Sequence, residues 1–288
     1  MSRQEWTGVG GKRVVLTGGT GGIGLAAARQ LAALGAELTI VGRSAERARE
    51  AADSIARPVD VLIADLASQD EVRRLAAEIL SRYPRVDVLA NNAGAMFGSR
   101  QLSVDGIELT WAVNHLAPFL LTNLLLERLV ATAPARVITT ASAAHSRAAI
   151  PFEDLQAERA YATLGWGRYG ETKLANVLFT RELGRRLEGT GVTANCFHPG
   201  FVGSGFNQNN GWLMRVAMRA SRLVARSPEK GAETLVWLAD SPEVGGASGA
   251  YFVDRHEVRP SAAARDAEAA RRLWEVSEAQ VAATAPTA

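Results

Sequence analysis

Tyr169 and Lys173 stand four residues apart in the stretch Tyr169-Gly170-Glu171-Thr172-Lys173. On a helix that spacing puts two side chains on one face, so a hydroxyl and an ammonium can converge on a single spot. A phenol that titrates near ~10 is a poor acid at neutral pH, and a nearby ammonium favours the phenolate and draws that value down. Such a tyrosine can give a proton to a carbonyl oxygen or take one from an alcohol. The spacing is common on helices, so the rest of the chain must decide whether it is used.

The elements that would position the pair read as alternating strands and helices. An apolar run at 13–16 leads into Thr17-Gly18-Gly19-Thr20-Gly21-Gly22-Ile23-Gly24, and residues 25–34 read as a helix closed by Gly35. Glycines between a strand and a helix let backbone approach a pyrophosphate, and the helix start supplies amide donors. Gly18, Thr20, Gly22, Ile23 and Gly24 are therefore candidate nucleotide contacts. A second strand at 37–41 ends in Gly42-Arg43-Ser44 before a helix at 45–55. An acid at this point would suit a ribose 2′-hydroxyl, whereas an arginine suits a 2′-phosphate. Arg43, with Ser44 beside it, thus favours NADP(H) over NAD(H), although Arg43 could be a solvated loop residue and Ser44 merely a helix cap.

Strand 59–64 ends at Asp65-Leu66, and Ser68 with Glu71 matches a capping box for a helix running to Arg82. Strand 86–90 runs into Asn91-Asn92-Ala93-Gly94, which could line a cofactor or simply shape a turn. A helix over 111–131 carries Asn114 near its start, as polar glue or as the holder of a water. Strand 136–140 is followed by Ser142, and 150–166 reads as an excursion before the helix 168–187 that bears Tyr169 and Lys173. Strand 193–197 precedes His198-Pro199-Gly200, with Val202 just beyond; Ser227-Pro228 opens a helix to residue 239, and 250–253 would be a last strand. The alternation predicts a Rossmann-type doubly wound parallel α/β sheet of about seven strands, with helices on both faces. The candidates fall at strand carboxyl ends, where such sheets bind ligands.

The 288 residues, 47% hydrophobic, are expected to form one domain with its core at about 11–255 and a C-terminal helix (267–281) with a tail. A net charge of +2 without a lysine-rich tract demands no nucleic-acid partner. Cys196 is the sole cysteine, so no internal disulfide forms; it is expected to pack in a strand, and a reducing, cytoplasmic setting fits. Residues 1–11 show no apolar leader. The oily run 111–131 contains Asn114, His115, Asn123, Glu127 and Arg128, which points to a core or interface helix and not a membrane span. His115, His145, His198 and His256 lack metal-ligand spacing, so no metal is expected.

Taken in order, Thr17-Gly18 with Gly22 and Gly24, Asn91-Asn92-Ala93-Gly94, Ser142, Tyr169 with Lys173, and Pro199-Gly200 resemble the short-chain dehydrogenase/reductase superfamily. Val113-Asn114-His115-Leu116, Phe152-Glu153-Asp154-Leu155, the run from Tyr169 to Glu182, His198-Pro199-Gly200 and Tyr251-Phe252-Val253-Asp254 resemble its retinol-dehydrogenase-like branch. Thr140-Ala141-Ser142 stands where that branch usually has a double serine.

The resemblance implies hydride exchange between NADP(H) and a carbonyl or alcohol on an apolar small molecule. Tyr169 would be the acid/base and Lys173 would tune it and bind the nicotinamide ribose. Ser142 would hold the substrate oxygen and Asn114 a relay water. Helices 111–131 and 168–187 could pair two copies as a homodimer. Arg215, Arg219, Arg222 and Arg226 form a basic stripe in a segment read as a substrate lid lined by Phe206 and Trp212, with a solvated face or membrane contact as alternatives. A silent nucleotide-binding redox sensor or scaffold is the alternative to an enzyme.

Overall fold

Apolar runs too short to bury themselves alternate here with amphipathic segments, and the two kinds solve each other's exposure by layering. The computed structural model describes residues 5–161, 163–202 and 225–283. In chain order the elements are β1 (Arg13–Thr17), α1 (Gly22–Ala33), β2 (Glu37–Gly42), α2 (Ala45–Asp53), β3 (Asp60–Ile63), α3 (Gln69–Arg82) and β4 (Val88–Asn91). There follow α4 (Leu109–Thr132), β5 (Ala135–Thr140), α5 (Trp166–Arg186), β6 (Val192–His198), α6 (Pro228–Asp240), β7 (Tyr251–Val253), β8 (His256–Glu257) and α7 (Ala267–Ala282).

One eight-stranded sheet runs in the order β3-β2-β1-β4-β5-β6-β7-β8. Every pairing is parallel except the last, in which β8 folds back on β7. That two-residue edge strand is the one the sequence reading did not foresee, because a pair of polar residues carries no alternation to read. The strand order reverses between β1 and β4, which opens a crevice at their carboxyl ends. β5 is buried along its whole length, as a central strand covered on both faces must be.

The two faces bury separate cores. On one, α1 and α6 bring Ala27, Leu31, Leu235 and Leu238 against Val14, Leu16 and Ile40. On the other, α3, α4 and α5 bring Leu75, Ile79, Leu125 and Phe179 against Val15, Leu89 and Val137. α4 is long and apolar enough to cross a membrane, yet 72% of its apolar window is buried inside the protein, so it serves as a core helix.

Helix starts follow the residues that cap them. Ser44, Ser68 and Ser227 each accept a backbone N–H from the third residue onward, at 3.4, 3.3 and 3.2 Å. The capping box at Ser68 is only half made, because the Glu71 carboxylate turns instead to Arg74 Nε at 3.0 Å. α4 also departs from a plain helix: Ala112–Leu116 is a π turn. Such turns are rare and insert one extra residue per hydrogen-bonded ring, which the apolar pattern of the sequence does not betray.

α7 lies across the outer face of α4 and α5. Trp274 stacks on Phe179 at 5.9 Å and 22° and meets Phe119 edge-on at 5.0 Å. Ser277 hydrogen-bonds His115 Nε2 at 2.8 Å, and Gln280 Oε1 accepts from Trp111 Nε1 at 3.0 Å. This part of the α4/α5 face, which the sequence left open as either core or a surface for a second copy, is covered by the chain's own C-terminal helix.

Candidate active site

The crevice is built by close approach of backbone. Gly18 and Gly22 have φ of +68° and +52°, which suit glycine. A Cβ on Gly24 would lie 2.0 Å from the Gly18 carbonyl oxygen and 2.7 Å from Asn92 Nδ2, so only glycine fits where α1 meets the turn. Thr17 ties that turn to the next strand: its Oγ accepts from the amides of Asn92 and Ala93 at 3.0 and 3.1 Å, and Asn92 Nδ2 returns a bond to the Thr17 carbonyl at 3.0 Å. α1 begins with no side-chain cap and no acidic residue in its first turn. Its N-terminal amides are thus disposed to meet an anion, as a pyrophosphate requires.

The other nucleotide candidates lie along the same edge. Arg43 is exposed just past β2, and Thr20 packs so close to Gly42 that a Cβ there would come within 2.5 Å of it. Asp65 is exposed beyond β3, where its Oδ1 accepts from the Ala67 amide at 3.0 Å and shapes the turn ahead of Ser68, with Leu66 half-buried beside it. Past β6, Gly200 has φ of +84° and packs under Arg226, which forms a two-point ion pair with Asp254. Ile23 and Val202 meet over Gly231 of α6. Apart from Arg226, the arginines of the expected lid, with Phe206 and Trp212, lie outside the described residues.

The structure brings Gly94, Asn114, Lys173, Ser142 and Tyr169 together at the mouth of this crevice. Asn114, within the π turn and fully buried, accepts from Ala95 N at 2.7 Å and donates to Ala95 O at 2.8 Å and to Thr172 Oγ at 3.0 Å. A Cβ on Gly94 would stand 3.3 Å from Asn114 Oδ1 and 3.4 Å from Lys173 Nζ, so this glycine lets the two polar side chains draw near. Lys173 Nζ donates to the Thr140 carbonyl at 2.9 Å. Ser142 hydrogen-bonds the Tyr169 phenol and also accepts from Ala144 N at 3.2 Å. His145 fixes this serine from behind, with Nδ1 2.7 Å from the Ser142 carbonyl.

Electrostatics in the pair differ from the simple expectation of an ammonium lowering a phenol. Burial pushes Tyr169 up to about 12, with the Ser142 hydrogen bond opposing it. Burial pulls Lys173 down to about 8. Each charged form loses hydration, and Lys173 Nζ sits over the Tyr169 ring, 5.5 Å from its centre, and donates to a backbone carbonyl.

Thr17, Thr140, Thr172 and His145 hold the candidates in place; the sequence reading quoted Thr17 and Thr140 only as parts of motifs and gave none of the four a holding role. Three of them directly adjoin motif residues or end a strand, but threonine there reads first as a β former. His198, read as a packing or hydrogen-bonding residue, is partly buried beside the Pro199-Gly200 turn. Burial and the nearby Arg226 guanidinium pull it down to about 4. Cys196 is fully buried in β6, as expected.

With this geometry in view, comparison decides the family. The family model described as short chain dehydrogenase matches residues 12–212. The chain is a short-chain dehydrogenase. Among its relatives, retinol dehydrogenase 14 of Mus musculus is 40% identical over 290 residues, covering 94% of this chain and 86% of that protein. This places the dehydrogenase in the retinol-dehydrogenase-like branch. A crystal structure of an uncharacterised protein from Mycobacterium paratuberculosis superimposes with a TM-score of 0.79 at 32% identity, over 97% of this chain and 98% of that one. An RhlG/NADP active-site complex from Pseudomonas aeruginosa gives 0.69 at 28% identity, over 86% and 96%. The dehydrogenase is accordingly a hydride-transfer oxidoreductase that binds a nicotinamide cofactor.

Proposed function

We propose that the protein is an NADP(H)-dependent oxidoreductase acting on a carbonyl or alcohol carried by an apolar small molecule, with Tyr169 as acid and base. The observation that carries this reading is the Tyr169 phenol hydrogen-bonded by Ser142, on the same helix face as a buried Lys173 and beside the crevice made by Gly18, Gly24 and Asn92. In reduction, Tyr169 gives its proton to the substrate oxygen, which Ser142 orients; in oxidation the proton returns. When bound, the nicotinamide supplies or accepts the hydride.

Lys173 and the Asn114 carboxamide both face the space a Gly94 side chain would occupy, and they are assigned to the nicotinamide ribose and to a relayed proton. Burial draws Lys173 down to about 8, which suits proton exchange near neutrality, and the positive charge of an oxidised nicotinamide, when bound, would favour the phenolate. Gly18, Thr20, Gly22, Ile23 and Gly24 are assigned to the pyrophosphate side, and Asp65, Leu66, Asn92 and Ala93 to the adenosine side. Pro199, Gly200 and Val202 are assigned to the nicotinamide. Arg43 supports a 2′-phosphate because its fork can bond phosphate oxygens in pairs. The name of the mouse relative supports an alcohol or aldehyde on an apolar body, and the Pseudomonas complex supports NADP.

A panel of aldehydes and ketones assayed by consumption of NADPH against NADH tests the reading. Turnover with NADPH and an apolar carbonyl supports it. Preference for NADH would overturn the role of Arg43, and inactivity with both cofactors across the panel would favour a silent binding protein.

A further inference from the structure

Arg168 comes immediately before Tyr169, yet its side chain turns inward and is 2% exposed. Its Nε lies 2.6 Å from Oε2 of Glu108, a carboxylate with no exposure. The same carboxylate starts α4: its two oxygens accept the amides of Thr110 and Trp111 at 3.0 and 2.9 Å. The guanidinium also bonds Glu171 at 3.0 Å and the Leu155 carbonyl, and it covers the Trp111 ring at 4.8 Å. Tyr161 closes the cluster, with its hydroxyl 2.9 Å from the Phe97 carbonyl and 3.2 Å from Thr110 Oγ.

We propose that the Glu108–Arg168 pair is a positioning device that locks the start of α4 to the start of α5, and so sets Asn114 against Tyr169 and Lys173. Stability alone is a poor reason for such a pair. Taking two charges out of water costs several kcal/mol each, and apolar side chains of the same volume are often as stable or more so. What apolar contact does not supply is direction. A planar fork bonded at once to a helix cap, to its own helix and to a loop carbonyl fixes rotation and slide together.

The junction is read out a few residues away. Asn114 donates to Thr172 Oγ at 3.0 Å, a direct side-chain bond between the two helices one residue before Lys173. A slip of under an ångström at Glu108–Arg168 would stretch that bond, and with it the alignment of Asn114, Lys173 and the phenol. Neither Glu108 nor Arg168 touches substrate or cofactor in this account; both act through the residues they hold. The functional part of the inference rests on Tyr169 being the acid/base.

The test replaces the pair by apolar residues of similar size, Glu108→Leu with Arg168→Met, and compares it with Arg168→Lys. The double variant leaves the Thr110 and Trp111 amides without their cap, and where it stays folded by circular dichroism it should bind NADPH within about twofold of wild type, because neither residue joins the Thr17–Asn92 bonds that hold the glycine turn. Its kcat should fall about 10- to 100-fold with KM little changed, the scale expected of sub-ångström misplacement of reacting groups. Its solvent deuterium isotope effect on kcat should rise as proton transfer becomes limiting. Arg168→Lys, which keeps the charge and loses the fork, should fall between. A folded double variant with wild-type kcat and isotope effect overturns the proposal. If the double variant does not fold, Arg168→Lys decides alone by the same two readouts. If the wild type turns over no carbonyl, the proposed function fails separately, and a crystal structure of the variant decides the positioning claim. Loss of the Asn114–Thr172 bond supports it and retention overturns it.

Discussion

Lys173 Nζ donates to the main-chain carbonyl of Thr140 at 2.9 Å and stands 5.5 Å from the ring centre of Tyr169. The ammonium is anchored to the end of β5, and the phenol to Ser142 two residues further along the same strand end. The two groups of the pair are therefore both held by one short segment at the end of the sheet, with the ammonium over the face of the phenol ring.

Replacing Tyr169 by Phe removes the proton donor while leaving the ring that packs against Trp166 at 6.1 Å. Turnover should fall about 10²- to 10⁴-fold, the usual contribution of a positioned acid or base. NADPH affinity, followed by fluorescence titration, should change little. Turnover near wild type in this variant defeats the mechanism.

Lys173 titrates near 8 in the folded chain and at 10.5 when free. Between those values the unfolded chain binds the extra proton, so Lys173 makes the cofactor-free protein more stable as pH rises from about 8; from about 9 upward the Cys196 thiol, pushed up to about 12 by burial, works against that rise. The gain is on the order of 3 kcal/mol if Lys173 acts alone. Tyr169, raised to about 12, works the other way: above pH 10 the folded chain keeps a proton the unfolded chain has lost, and stability declines. Urea unfolding across pH 7.5 to 9 should show the rise in wild type and its absence in Lys173→Met.

Gly24→Ala places a methyl 2.0 Å from the Gly18 carbonyl oxygen, a distance no relaxation of a side chain can relieve. The turn must open. A loss of about 1–3 kcal/mol in stability is expected from such overpacking, together with a drop of at least tenfold in NADPH affinity by calorimetry. Undiminished affinity would separate the glycine turn from the nucleotide.

Arg43→Ala tests cofactor choice. A charge-assisted bond from this exposed arginine to a 2′-phosphate is worth about 10- to 100-fold in affinity. The NADPH-to-NADH ratio of kcat/KM should fall by that factor with the NADH value nearly constant. An unchanged ratio assigns the discrimination to other residues.

Trp274→Ala empties the space between Phe119 and Phe179 under α7. Such truncation costs about 3–5 kcal/mol, which should lower the urea midpoint sharply. Light scattering would also show whether the uncovered α4/α5 face then pairs copies of the chain.

Much of this was legible in the residues themselves. Alternation of short apolar runs with 3.6-period segments dictated the layered parallel sheet, serines marked helix starts, and the Thr17-to-Gly24 stretch marked a tight turn where backbone approaches backbone. These are local effects of sterics, periodicity and capping, so a few neighbouring residues suffice to determine them. Tertiary structure alone decided the π turn that aims Asn114, the carbonyl that holds Lys173, the Glu108–Arg168 junction and the cover of α7 over Trp111 and His115. It also reversed the expected direction of the Tyr169 shift. Each of these depends on which distant atoms displace water from a group, and the amount of water left around a charge is a property of the packed molecule.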